Sequence, residues 1–277
     1  NYENKNKARV RYMVEEMGEK NFLEKFKEYA LKEKAKGGLD LTPNSIDYSK
    51  EGKEIDICDP RLINQKQKGL YSVYIHPVGG QLYLKDLKAL LYELDKIKNP
   101  IIRTGMTEEM YILNLDGNEA KRILEISKKI SGDSKLEKSI SCIGVPICQM
   151  GIQNSQKMLH NIIDYFRENV DKETMNKLPR IYISGCPNSC GVHQIGHIGL
   201  SGKMKKIDGT PTDVFEISVC GNFEVGKSRL GTSIGDFKAS DIPEFLCELA
   251  KITEGDFFEF ATNNTEKILN LSSKYKI

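Results

Sequence analysis

The chain has 277 residues, and its 41 Lys and Arg face 39 Asp and Glu, for a formal net charge of +2. So even a balance argues against a nucleic-acid binder held by bulk charge, and no apolar run approaches the roughly 18 residues of a membrane span. A chain this long buries a sizeable core without disulfide staples, as one large or two modest domains.

The opening Asn1-Tyr2-Glu3-Asn4-Lys5 is polar, so no secretory signal is expected. The chain does not start with Met, and a trimmed piece of something longer is expected. Residues 6–34 read as two helices. Ala8, Val10, Met13, Val14 and Met17 form an apolar stripe that Gly18 stops, and Asn21 is expected to cap a second run carrying Phe22, Phe26 and Leu31. The lysines there read as a solvated face. Residues 37–68, rich in Gly, Asp, Asn and Pro, read as a linker crossing the surface.

A clearer pattern follows. Tyr71–Ile75 alternates as a strand, and Leu84–Ile97 reads as a helix with Leu87, Leu90, Leu91 and Leu94 on one face. Pro100–Arg103 and Met110–Leu113 read as short strands. Asn118 is expected to cap a helix with Ile123, Ile126 and Ile130 inward, and Ser139–Ser141 to be a last strand. The order β-α-β-β-α-β is that of a ferredoxin-like unit, a name for a topology and not for a cofactor. Beyond it come a helix with Met158, Ile162, Ile163 and Phe166, a strand Arg180–Ser184, strands at 197–200 and 214–219, and a helix opened by Asp241 with Glu244 three residues on.

The most informative feature is two cysteine pairs, Cys142 with Cys148 and Cys186 with Cys190. Their spacing is C-x5-C, a gap of 37 residues, then C-x3-C. Seven cysteines without an export signal imply a reducing compartment, the cytoplasm. Clustered cysteines there mean metal or redox chemistry more often than disulfides. Zinc knuckles use tighter pairs at both ends, and C-x5-C is too open for one. A cubane iron–sulfur cluster needs four soft thiolates, and family spacings vary. Pro187 directly after Cys186 suits a cluster ligand. Gly185 and Gly191 are expected to let the backbone approach the cluster, where N–H groups tune its potential. Buried free cysteines, a zinc site and a disulfide pair are the plainer readings and are weaker. Cys58, Cys220 and Cys247 read as ordinary, with Cys247 on an apolar helix face beside Leu246 and Leu249. His193 and His197, four apart, lie in a Gly-rich loop and are not expected to form a metal pair.

At these residues the chain resembles the nitrite and sulfite reductase family, whose members couple sirohaem to a 4Fe-4S cluster. The run Ser184-Gly185-Cys186-Pro187-Asn188-Ser189-Cys190-Gly191, continuing through His193-Gln194-Ile195 to Ile198-Gly199 and Gly202, is similar to the family's second ligand pair. Ser141–Ile152 is similar to the first. Residues 61–135 resemble the ferredoxin-like half-domain that precedes the cluster domain, and Lys7–Gly18 resembles a helix ending the preceding sirohaem domain. The resemblance covers most of the chain and corresponds to the C-terminal of two pseudo-symmetric halves. It implies an α+β fold: a ferredoxin-like half-domain followed by a mixed α/β nitrite/sulfite reductase 4Fe-4S domain. The implied divisions are 1–60 (helical segment and linker), 61–135 (ferredoxin-like half-domain) and 136–277 (sirohaem and cluster domain with a helical tail).

The resemblance also implies roles. Cys142, Cys148, Cys186 and Cys190 ligate the cluster, and Cys190 bridges it to the sirohaem iron. Asn188, Gly191 and Gln194 lie near that junction. Arg103 and Thr104 fall where the family's Arg-x-Thr-type loop reaches the macrocycle. Glu108 or Glu109 stands where many members have Gln, and Cys220-Gly221 where many have Gly-Gly. No catalytic side chain is singled out, because the cofactors carry the chemistry of reducing nitrite to ammonia or sulfite to sulfide. Lys203, Lys205, Lys206, Lys227 and Arg229 are candidates for the sirohaem rim, against the plainer reading of surface charge. The implied partners are the anion, a donor such as ferredoxin or a flavoprotein, and the missing N-terminal half, without which the piece is not expected to be a competent reductase. Two other readings stay open: an electron-transfer module holding only the cluster, and a zinc-stabilised interaction domain.

Overall fold

The computed structural model describes residue 7, residues 9–39 and residues 49–277. Contacts divide the chain into two compact units, one ending at Asp47 and one running from Tyr48 to Ile277. In the first unit, α1 (Val10–Met17) and α2 (Glu19–Ala35) meet at Gly18, whose φ of 79° ends α1. No residue of either helix is buried. Gly18 occupies the N-cap position of α2, so Asn21 is not the cap. It lies inside the helix and donates from Nδ2 to the Met17 carbonyl at 2.9 Å. Ala8, expected in the apolar stripe, lies outside the described residues.

The second unit holds two sheets. The first contains β1 (Leu62–Asn64), β2 (Leu70–Ile75), β3 (Ile101–Thr104) and β4 (Met110–Asp116) in the order β1-β2-β4-β3, all antiparallel. α3 (Leu84–Leu94) and α4 (Gly117–Ser127) supply Leu90, Leu94, Ala120, Ile123 and Leu124, which pack with Val73, Ile75 and Ile112. Leu91 points outward at 42% exposure. Asp116 caps α4, in a capping box with Glu119, and Asn118 sits two residues too deep to do so.

Part of the stretch read as linker is built into this layer. Ile55, Ile57 and Leu62 pack against its core, because their apolar side chains have a face to cover. β1 also takes the sheet edge that the order β-α-β-β-α-β assigns to Ser139–Ser141. That segment pairs elsewhere, so the four-stranded layer is completed from its N-terminal side.

The second sheet runs β5-β6-β7-β8-β9, with β5 (Ile140–Ser141), β6 (Ile181–Ser184), β7 (Ile198–Ile207), β8 (Thr210–Val219) and β9 (Thr232–Lys238). The first three are parallel and the last three antiparallel. Between β5 and β6 lie α5 (Ser155–Asn169) and α6 (Lys172–Lys177). After β9 come α7 (Ile242–Ile252), α8 (Phe257–Asn263) and α9 (Thr265–Ser272). Met158, Leu159, Ile162, Ile163 and Phe166 of α5 are all buried against Ile181, Ile183, Leu200 and Ile217. Cys247, 2% exposed, belongs to the same core. Asp241 precedes α7 but makes no side-chain cap bond. Among the described residues, no helix is long and apolar enough to cross a membrane.

Candidate metal centre

Parallel neighbours leave a sheet on the same side, and here that brings the two cysteine pairs together. Ser141 at the end of β5 is in register with Ile183 of β6. Cys142 follows directly, its N–H donating to the Ile183 carbonyl at 3.0 Å, and Cys186 lies two residues beyond β6. The two loops then lock to each other through backbone. Ile152 and Gln153 donate their N–H groups to the Gly185 carbonyl at 3.0 and 2.8 Å, and Cys148 N–H donates to the Gly144 carbonyl at 2.8 Å.

This packing explains the glycines. A Cβ on Gly185 would stand 2.4 Å from the Gln153 oxygen, one on Gly191 2.2 Å from the Ile183 oxygen, and one on Gly202 2.6 Å from the Gly185 oxygen. Gly185 and Gly191 therefore admit other backbone of this chain, a firmer reason for glycine than approach to a cluster. The N–H of Gly185 still reaches a ligand candidate, donating to Cys142 Sγ at 3.1 Å.

The four sulfurs differ in surroundings. Cys142 and Cys148 are half-buried, Cys186 is buried and Cys190 is exposed, and all seven cysteines are free thiols. Ser189 and Val192 adopt left-handed φ values of 58° and 52°, and the turn they shape presents Cys190 outward. Asn188 and Gln194 are exposed and Gly191 is buried. Among the described residues, no three or more His, Cys, Asp or Glu side chains are gathered as a single metal ion requires. A zinc ion draws its thiolates to about 2.3 Å from one point; four irons with their sulfides form a larger body. An all-thiol donor set on two loops held by their own backbone bonds fits such a cluster.

The other candidates are placed differently. Arg103 and Thr104 are exposed on β3, an edge of the first sheet, and among the described residues no hydrogen bond or ion pair joins them to the cysteine loops. Arg103 pairs across the sheet with Tyr111, which pairs with Tyr74, the two tyrosine rings meeting edge-on at 5.4 Å. Arg180 extends this row, with Nη1 3.2 Å from Thr107 Oγ1 and Nη2 3.4 Å from Tyr74 Oη.

Four of the rim candidates already have partners. Lys203 contacts Glu216 and Asp236 at 3.0 Å each, and Lys205 contacts Asp236 at 2.6 Å. Lys227 contacts Glu224 at 3.5 Å, and Arg229 lies 4.8 Å over Phe258 while donating to the Cys220 carbonyl at 2.8 Å.

His197 packs on Phe223 and Phe258. His193 is buried with no partner for Nδ1, and burial holds its pKa down against the carboxylate of Glu216. His193 lines a cavity of about 210 Å³ with Gln194, Ser201, Glu216, Ser218 and Ser233.

Three residues around Cys142 were not read from the sequence as supports of the cysteine loop, although Glu108 was noted there as standing where many family members have Gln. Gln156 Nε2 donates to the carbonyls of Gly79 at 2.9 Å and Ser141 at 3.0 Å, tying the first layer to the cysteine loop. Glu108 faces the Ser141 N–H, and burial pushes its carboxyl up to about 7. Ser155, the first residue of α5, meets Cys142 Sγ at 3.2 Å. The Asn154-Ser155 helix start was a usable signal for Ser155. A Gln in a first turn and a Glu in a hairpin are ordinary.

No family model matches the chain. Among individual proteins, it is 29% identical over 146 residues to the sulfite reductase (NADPH) hemoprotein beta-component of Bacillus licheniformis, covering 49% of this chain and 26% of that one. It is 22% identical over 250 residues to the ferredoxin–nitrite reductase of Synechococcus elongatus, covering 89% of this chain and 46% of the other. This chain is a relative of the nitrite and sulfite reductases. It spans between 26% and 46% of the length of these two. The reductase relationship extends to the fold. The Mycobacterium tuberculosis NirA structure overlays 96% of this chain on 50% of its own, with a TM-score of 0.66 at 18% identity. Dissimilatory sulfite reductase I overlays 75%, with a TM-score of 0.56 at 12% identity. At those identities the likeness concerns fold alone, and the fold is the mixed α/β, two-sheet arrangement of these reductases.

Proposed function

We propose that this chain is the C-terminal portion of a sirohaem-dependent reductase of nitrite or sulfite. In this reading residues 61–135 form the ferredoxin-like half-domain and 136–277 the cluster domain, working in the cytoplasm. The observation that carries it is the convergence of the two cysteine loops at the ends of neighbouring parallel strands. Cys142, Cys148, Cys186 and Cys190 would hold a 4Fe-4S cluster, and the exposed Cys190 would be the ligand shared with sirohaem, with Asn188, Gly191 and Gln194 beside it. When bound, the pair of cofactors supplies the six-electron reduction.

The chain's own residues position and support. The backbone bonds of Ile152 and Gln153 to Gly185 fix the spacing of the two loops and that of Cys148 to Gly144 shapes the first, while Gln156 bonds the Ser141 carbonyl and Glu108 accepts from the Ser141 N–H. Arg103, with Tyr111 and Tyr74 in the same cross-strand row, offers a cationic and aromatic ledge for an anionic rim. The names of the relatives support ferredoxin or an NADPH-dependent source of electrons, and nitrite or sulfite as substrate. The lengths of those relatives support a requirement for an N-terminal half.

A visible spectrum with iron, acid-labile sulfide and extractable sirohaem counts on anaerobically prepared protein tests the reading. A Soret-type band with an added visible band is expected when the N-terminal half is supplied. Brown absorbance with no sirohaem under any condition would favour an electron-transfer module, and zinc without iron an interaction domain. The isolated chain is expected to show no viologen-linked reduction of nitrite or sulfite; robust turnover would show that it needs no other half.

A further inference from the structure

The four cysteines are not equivalent in their hydrogen bonding. Among the described residues, Cys142 is the one whose sulfur meets two polar groups, the Gly185 N–H at 3.1 Å and Ser155 Oγ at 3.2 Å. Ser155 is fully buried, and its Oγ also lies 2.7 Å from the Cys142 carbonyl oxygen. The pocket is cut to this hydroxyl: a Cβ added to Gly144 would stand 2.5 Å from it.

A serine hydroxyl has one proton to give and lone pairs that accept. While Cys142 is a thiol, every group is satisfied, because S–H donates to Oγ and Oγ–H donates to the carbonyl. A metal-bound thiolate has no proton and only accepts. The one hydroxyl proton then stands between two acceptors. We propose that Ser155 is a positioning residue that sets the reduction potential of the cluster held through Cys142, its hydroxyl turning from the carbonyl to the sulfur as the sulfur grows more negative.

An electron added to a cluster spreads onto its thiolates. A donor on one of them stabilises the more reduced state and moves the potential up. Such a bond is stronger in a buried, low-dielectric setting than in water. The Gly185 N–H is fixed by the backbone, whereas the hydroxyl rotates about a single bond and can answer the change in charge. This rests on the cluster reading given above and adds a role to a residue with no contact to substrate.

The test is anaerobic reconstitution of the full chain with iron and sulfide, as wild type, Ser155→Ala and Gln156→Ala. One-electron redox titration with dithionite follows, read by electron paramagnetic resonance. Ser155→Ala is expected to hold the same iron and sulfide and to show a more negative midpoint. Gln156→Ala loosens the same loop without touching the sulfur, so it should lower the thermal midpoint and leave the potential near wild type. Equal potentials in wild type and Ser155→Ala, or equal shifts in both variants, overturn the proposal. If Ser155→Ala loses the cluster, the wild type decides alone. Electron–nuclear double resonance of its reduced form in H2O and D2O should show a rapidly exchanging coupled proton, and its absence overturns the role of Ser155. A wild-type chain that takes up no iron and sulfide fails at the earlier step, the cluster itself, and the iron count tells the two failures apart.

Discussion

Both carboxylate oxygens of Glu108 face the backbone N–H of Ser141, at 3.3 and 3.4 Å. This contact joins the β3–β4 hairpin of the first sheet to the strand that leads into Cys142. Glu108 holds a left-handed φ of 70° to make it.

Burial pushes the Glu108 carboxyl up to about 7, with the neighbouring charge of Glu109 adding to it and the Ser141 N–H opposing. A carboxyl raised in the folded state binds its proton more tightly there than in the unfolded chain. Its contribution is fully present below about pH 4.5 and is lost as pH rises through 7, at a cost of about 3 kcal/mol by linkage. Glu108→Gln keeps an acceptor for Ser141 and removes the charge. Urea unfolding at pH 5 and pH 8 should show the variant gaining on wild type by about that amount at the higher pH only.

Glu137 should behave in the opposite sense. Burial alone would raise its pKa, but the N–H groups of Ser134 and Asp133 and the Arg167 guanidinium, 2.6 Å away, outweigh it and hold the carboxyl below its usual range. A lowered pKa contributes stability above the unfolded value near 4.3, and that stability is lost as pH falls through the folded value. Glu137→Gln is expected to cost about 1–3 kcal/mol at pH 7, with the two proteins converging in acid unfolding experiments.

Gly185→Ala is expected to be severe. The new methyl would stand 2.4 Å from the Gln153 oxygen, at the crossing of the two cysteine loops. Backbone cannot yield there without parting the bonds from Ile152 and Gln153 to Gly185. Overpacking of this kind costs about 1–3 kcal/mol or more. Calorimetry should show the lowered melting temperature, and iron analysis a loss of cluster uptake.

Cysteine replacements should separate by position. Cys186→Ala is expected to abolish iron and sulfide uptake. Cys58→Ser, at an exposed position in the first layer, should leave both counts unchanged. Cys190→Ser should keep protein folded and lose the sirohaem iron's thiolate ligation in the reconstituted holoprotein. A full sirohaem spectrum with unchanged ligation in that variant would remove Cys190 from its bridging role.

Much of this was legible in the chain. The 3.6-residue spacing of Met158, Ile162, Ile163 and Phe166 located α5 and its buried face, because a helix packed on a sheet must present one apolar stripe. The cysteine spacing and the Cys-Pro-Asn-Ser-Cys-Gly run located both loops, because covalent neighbours and tight turns are local matters. Caps were read less well: Asp116 and Asn118 are both good capping types two residues apart, and local preference alone does not choose between them.

Pairing was not local. Ser139–Ser141 is too short to announce its partner, and only tertiary structure sets it beside Ile183 and gives its place in the first sheet to Leu62–Asn64. The same holds at the site. Residue types and spacing name four sulfurs, but Ser155 and Gly185 meet the sulfur of Cys142, and Gln156 and Glu108 the backbone of Ser141 beside it, because parallel strands end together and α5 begins there. Contacts between positions 13 to 77 residues apart are decided by strand register and packing, which no stretch of sequence carries on its own.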